Sequence, residues 1–321
     1  MGILISGFCL QTSRVLAQQP LPTYDDFRRV DQARRLSGLL QTEDLSKVMQ
    51  IDRLLLQRTA SRATNDFQVK WGAAELMNNW PIKRKLFDAA LEASGTNVMV
   101  ALRYACAAAE QKDEDLAFPL LHLVEKSDEG NAVPWLVDLR LLEWDSKEFA
   151  DLKLPTSWAI HYRDYGVEAA RARIRTLEAA GYSPYSARRL GFSPDTPVLN
   201  MARELTEPPI DKAARPFLLS VARAMQDRSM YLLTELVGET LERSVMATDV
   251  GGQTGAEANA RAIALDRRRE EIKALVASVE RNAADVATEA EMVRYFDDVL
   301  NLGEDVAMRR LVGKVQGNPL P

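Results

Sequence analysis

The chain has 321 residues, of which 46% are hydrophobic and 27% charged, with a net charge of −5 and an isoelectric point near 5.4. That balance excludes a disordered chain, and the interleaving of acidic with basic residues argues against broad, non-specific binding to nucleic acid or to an anionic membrane. Cys9 and Cys106 are too few for a disulfide framework, and no Cys/His cluster has metal-ligand spacing, so no metal or other cofactor is expected. Ala and Leu dominate while long alternating runs of Val, Ile and Thr are missing, which points to an all-α fold.

The first element is the apolar run Gly2 to Leu10, followed by Val15-Leu16-Ala17. Its length and the small residue at Ala17 fit a secretory signal peptide, whereas the lack of Lys or Arg before it and the presence of Arg14 fit a plain apolar terminus. Export to a cell envelope and a cytoplasmic location both stay open. The run is too short to span a bilayer, and no transmembrane segment is expected. Residues 1–19 are set apart on this ground, with 20–180 read as a helical region and 181–321 as a second one.

Tyr24 to Leu40 is amphipathic through Phe27, Val30, Ala33, Leu36 and Leu40. Thr42 can cap a helix with Leu45, Val48, Met49, Leu55 and Leu56 on its stripe. Phe67 to Trp80 makes a third helix, and Pro81 can open a fourth that Gly95 closes. Asn97 then opens an apolar helix, a polar break follows at Gln111 to Asp115, and a second helix runs from Leu116 to Glu125. Asn131, 34 residues after Asn97, opens Ala132-Val133-Pro134-Trp135-Leu136 after a similar polar turn.

That step is the tetratricopeptide period, and residues 64 to about 144 resemble a degenerate tetratricopeptide repeat (TPR-like) array. Ala90, Ala105 and Ala117 stand where paired helices of that family cross closely. Phe67, Phe87, Tyr104, Leu121 and Trp135 echo its larger packing residues. Lys83 and Asp151 depart from the pattern, and the register is lost after Trp144. The resemblance implies a right-handed stack of antiparallel helix pairs, an α-solenoid with a concave face, and no catalytic residue. It also implies a protein or peptide partner, with Arg103, Tyr104 and Arg140 of the first helices as the candidates to line the inner curve.

From Leu154 to Tyr165 an aromatic segment containing Trp158, His161, Tyr162 and Asp164 interrupts the array. It reads either as a plug over the stack or as the wall of a pocket, with His161 the candidate binding residue. Gly166 to Ala180, Tyr185 to Leu190, Val198 to Leu205 and Ile210 to Gln226 are helical, with Pro216 kinking the last or shifting its start. A strong stripe runs from Leu232 to Val245 after Ser229. Gly251 to Gly255 follows a helix and has no lysine, so it reads as a connector instead of a phosphate loop.

Ala256 to Ala287 is a long polar helix. Its Arg267-Arg268-Arg269 run, neutralised by Asp266, Glu270 and Glu271, reads as a solvated face, and Ile263, Leu275 and Val279 offer a stripe for self-association. Thr288 to Glu291 is a capping box for the next helix, and a last one reaches Val315. His122 reads as a half-buried packing residue. With no nucleophile elbow, zinc motif or phosphate loop, the sequence favours a non-catalytic scaffold or adaptor for protein–protein interaction. The alternative is an enzyme of unknown class with a pocket near Trp158–Tyr165.

Overall fold

The computed structural model describes residues 20–37, 51–142, 154, 160–192, 197–204, 214–227, 229–248, 255–282 and 287–315. The apolar segment before residue 20, Thr42, Trp144, Trp158 and Gly251 to Thr254 lie outside them. The described residues form an all-α protein, and no strand occurs among them. No described helix is long and apolar enough to cross a membrane.

The helices are α1 (Tyr24–Ser37), α2 (Arg53–Arg62), α3 (Phe67–Leu76), α4 (Trp80–Ser94), α5 (Val98–Glu110), α6 (Glu114–Ser127), α7 (Ala132–Leu141) and α8 (Gly166–Ala179). They are followed by α9 (Pro184–Gly191), α10 (Pro197–Glu204), α11 (Arg215–Gln226), α12 (Leu232–Thr248), α13 (Gly255–Asn282), α14 (Glu289–Leu302) and α15 (Glu304–Val315).

Side-chain caps set most of the starts. Asp52, Asp66, Asn79, Asn97, Asn131, Ser183 and Thr288 each accept a backbone N–H of the first turn, which satisfies donors that a helix start leaves open. At Thr288 the bond is reciprocal, because the Glu291 carboxylate accepts from the Thr288 N–H at 2.9 Å. The expected helix from Phe67 to Trp80 is divided, since Asn79 caps a new one and Pro81 suits its first turn. Pro216 likewise sits in the first turn of α11, whose start falls at Arg215.

Helices α3 and α4, and then α5 and α6, pack as neighbours across short turns. Ala90, Ala105 and Ala117 are fully buried where they meet. After α7 the chain does something else. Helix α8 returns to lie on α3, so closely that a Cβ at Gly72 would overlap the Ala172 carbonyl. The Thr176 hydroxyl donates to the Val69 carbonyl at 2.9 Å, and Arg175 pairs with Asp66 at 2.7 Å, so polar bonds flank this crossing.

The largest core joins Ala101, Leu102 and Leu136 to Met201, Phe217, Val221 and Leu241, and a second joins Phe27 and Leu56 to Leu177, Tyr185 and Phe296. Apolar packing therefore runs across position 180. Helix α13 rests on α12 through ion pairs: Arg261 to Glu242 at 2.8 Å, Arg268 to Glu235 at 2.6 Å and Arg269 to Glu239 at 3.6 Å. Of the arginine run, only Arg267 keeps the solvated position its neighbours in sequence suggest, with its side chain 83% exposed. Leu275 and Val279 pack beside Leu232, Ile272 and Met308, while Ile263 stays exposed.

Candidate functional site

Four residues were singled out by sequence: Arg103 and Tyr104 are neighbours in α5, Arg140 stands in α7 and His161 follows it. Arg103 is 2% exposed and forks onto Glu75, with Nε to Oε1 at 2.9 Å and Nη2 to Oε2 at 2.8 Å. Arg173 of α8 approaches the same carboxylate at 3.5 Å. Burial opposes ionisation of Glu75, but the Arg103 and Arg173 guanidiniums outweigh it and hold the carboxyl down at about 2. Arg103 is thus part of a buried ion cluster tying α3, α5 and α8, inaccessible to a partner. The reason is that α8 covers the face that the pairwise pattern leaves open.

Tyr104 is buried as well. Its ring stacks on Phe87 with centroids 4.8 Å apart, and its hydroxyl donates to Asp88 at 2.7 Å. Arg140 ties α7 to α10 through Glu204 at 2.6 Å. His122, expected to be half-buried, projects from α6 with its side chain 83% exposed.

His161 lies in a strap formed by residues 160–165, which is sewn to the turn between α6 and α7. The His161 N–H donates to the Gly130 carbonyl at 3.0 Å, and the Ala132 N–H donates to the His161 carbonyl at 2.8 Å. The Asn131 amide donates to the Arg163 carbonyl at 2.9 Å. Asp128 collects three groups, His161 Nε2 at 3.1 Å, the Tyr165 hydroxyl at 2.8 Å and the Asn131 amide at 3.0 Å. These bonds fix Tyr165 in the left-handed region at φ 53°, a conformation that costs a non-glycine residue and persists only where its surroundings impose it. Arg163 lies over the Tyr165 ring at 4.8 Å.

Ile160 and Tyr162 pack on the main core, and Tyr162 to Tyr165 wall a cleft of about 400 Å³. The opposite walls come from the turn between α11 and α12, at Asp227 and Ser229 to Tyr231, and from Leu300 and Asn301 of α14. The amino end of α8, Gly166 to Glu168, also lines it. Asp164 caps this end, accepting from the Gly166 N–H at 2.9 Å and from the Tyr162 hydroxyl at 3.2 Å. Arg171, one turn further on, donates to the Leu300 carbonyl and to Asn301, both at 2.9 Å.

Tyr231 is 3% exposed, and its hydroxyl has no hydrogen-bond partner among the described residues. Burial raises its pKa and that of Tyr162, so both phenols stay protonated in the ordinary range. Burial also pushes the Cys106 thiol up to about 12, which leaves it neutral and unreactive as a nucleophile. No group of three or more His, Cys, Asp or Glu is placed to hold a metal among the described residues.

Sequence reasoning missed Glu75, Asp128, Arg171 and Tyr231. Asp128 and Asn131 lie in the polar turn before α7, which was the only sequence signal pointing to them. Comparison with known proteins returns no matching family model, no similar curated protein and no similar solved structure.

Proposed function

We propose that this protein is a non-catalytic helical-repeat adaptor, built from degenerate TPR-like pairs, that receives a partner protein in the cleft at the amino end of α8. The observation that carries this reading is the cleft itself. It is of ligand-binding size, and one wall is a strap held by a dense hydrogen-bond set, while a buried tyrosine hydroxyl lacks a partner beside it. The TPR-like part of the reading is supported by Asn97 and Asn131, which cap successive first helices at the repeat interval, and by the buried alanines at the pair crossings. The departure from that family is α8, whose place on α3 moves the accessible concavity from the inner curve of the pairs to the strap.

The test is site-specific photocrosslinking of the full chain in its native cell, with a photoreactive residue at Asp227 on the cleft wall or at Glu270 on the exposed side of α13. A discrete protein adduct from position 227, absent from position 270, is expected. Equal adducts from both positions, or none from 227, would overturn the assignment of the cleft.

A further inference from the structure

Asp138 of α7 is buried, and its Oδ1 has no hydrogen-bond partner among the described residues. Helices α5, α6 and α10 pack against α7. Among their described side chains most charges are engaged elsewhere or face water. Arg103 of α5 forks onto Glu75, and Glu204 of α10 takes Arg140 of α7 itself. Glu110, Glu114, Asp115, His122 and Lys126 are exposed. The charge that acts on Asp138 is Glu125 of α6, a half-buried carboxylate whose ion-pair partner is His122 at 3.8 Å. Burial first, and then Glu125, push Asp138 up to about 7, and burial raises Glu125 as well.

The two acids bracket the turn that carries the strap. Glu125 lies about one helical turn before Asp128, and Asp138 about two turns after Asn131. The strap is held to that turn by the Gly130 and His161 carbonyls, which accept from the His161 and Ala132 N–H groups, by Asn131 Oδ1, which accepts from the Arg163 N–H at 3.2 Å, and by Asp128, which accepts from the Tyr165 hydroxyl. Asp128 ends α6 and Asn131 caps α7, so these bonds require the two helices to keep their separation. Ionising Asp138 beside Glu125 puts two like charges where burial penalises both, and the relief open to them is for α7 to move off α6 until water reaches them. Tyr165, at φ 53°, holds its conformation only while its neighbours impose it.

We infer that the seam between α6 and α7 is a pH-sensitive hinge for the strap: with Asp138 protonated the seam is closed and the strap wall stands, and with Asp138 ionised α7 shifts off α6 and the strap comes loose. The closed seam binds the proton more tightly than the open one, so the closed state loses ground as the pH rises from 3.8 to about 7 and changes no further above that. The hinge concerns the strap alone. Its consequence for binding, a cleft walled in acid and opened at higher pH, rests on the reading of the cleft as the partner site.

The experiment is native-state hydrogen exchange of the full chain, corrected for the intrinsic pH dependence of exchange, at the Ala132, His161 and Arg163 amides from about pH 4.5 to about pH 7.5. Their protection should fall about tenfold or more over that range while staying below that of the Val299 and Leu300 amides in α14, and the fall should vanish in Asp138→Asn. In Glu125→Gln the fall should be smaller and complete at a lower pH, which keeps the test valid if Asp138→Asn fails to fold. Protection that does not change with pH in the parent, or that falls equally in Asp138→Asn, would overturn the hinge. So would equal protection at the strap and in α14, the mark of global unfolding. A hinge lost in this way leaves the crosslink from position 227, and with it the cleft, as it stands.

Discussion

Asp138 offers the sharpest test of the packing, because it places an acid where the fold gives it nothing to bind. It lies in α7, 8% exposed, with Oδ1 buried and without a hydrogen-bond partner among the described residues. Burial, and then the nearby Glu125 carboxylate, push its pKa from an ordinary 3.8 up to about 7. Each tenfold change in proton affinity is worth about 1.36 kcal/mol, so complete ionisation costs the folded state about 4 kcal/mol. The folded protein binds this proton more tightly than the unfolded chain does. The stabilisation is therefore fully present below pH 3.8 and is lost progressively as the pH rises to about 7, above which the penalty is constant.

Asp138→Asn keeps the shape and removes the charge. Denaturant unfolding, followed through the buried Trp71, should find the variant and the parent nearly equal near pH 4. At pH 8 the variant should be more stable by about 2–4 kcal/mol. Other carboxylates titrate in the same window, so the difference between the two proteins is the measurement. A difference that stays flat from pH 4 to 8, or a parent favoured at pH 8, would refute the placement of Asp138 in the core.

Replacing Arg103 by Leu removes the bidentate partner of buried Glu75, leaving Arg173 at 3.5 Å and the Trp71 indole N–H at 3.2 Å, and should cost about 3–5 kcal/mol in denaturant unfolding. Gly72→Ala drives a methyl into the Ala172 carbonyl and should cost about 3 kcal/mol or more, while Gly95→Ala, where a Cβ meets nothing but φ 67° and ψ −145° suit glycine alone, should cost about 1–3 kcal/mol. Thr288→Ala removes one half of the capping box of α14 and should lower stability by about 1 kcal/mol, measurable as a small fall in melting temperature.

What could be read from the sequence was what is decided locally. Asn97, Asn131 and Thr288 cap helices with atoms two or three residues away, so their roles follow from spacing alone. Arg103 and Tyr104 were expected to line a groove because helical periodicity tells which residues share a face, not what covers it. The cover is α8, and its partners Glu75 and Asp66 lie about a hundred positions earlier in the chain. The Arg267 to Arg269 run was misread for the same reason. Its neighbouring acids suggested local pairs, while Arg268 and Arg269 reach back to Glu235 and Glu239 of α12. The cleft was half legible: its strap stood out as aromatic, but Tyr231, Leu300 and Asn301 carry no pattern that marks them.

The composition of the cleft walls gives a last consequence. One wall, the strap and α8, is fixed to the preceding helices by Asp128, by the Gly72 crossing and by Glu75. The other belongs to α11, α12 and α14, joined to the first partly through Arg171, which holds the Leu300 carbonyl and Asn301. A partner seated between the walls that binds the folded chain alone stabilises it by mass action. At a hundred times its dissociation constant the gain is about 2.7 kcal/mol, enough to raise the melting temperature by several degrees. Arg171→Ala weakens the native tie between the walls. The variant should melt lower than the parent, because the Leu300 carbonyl and Asn301 lose their donor. An unchanged melting temperature would show that Arg171 does not help to hold the two walls together.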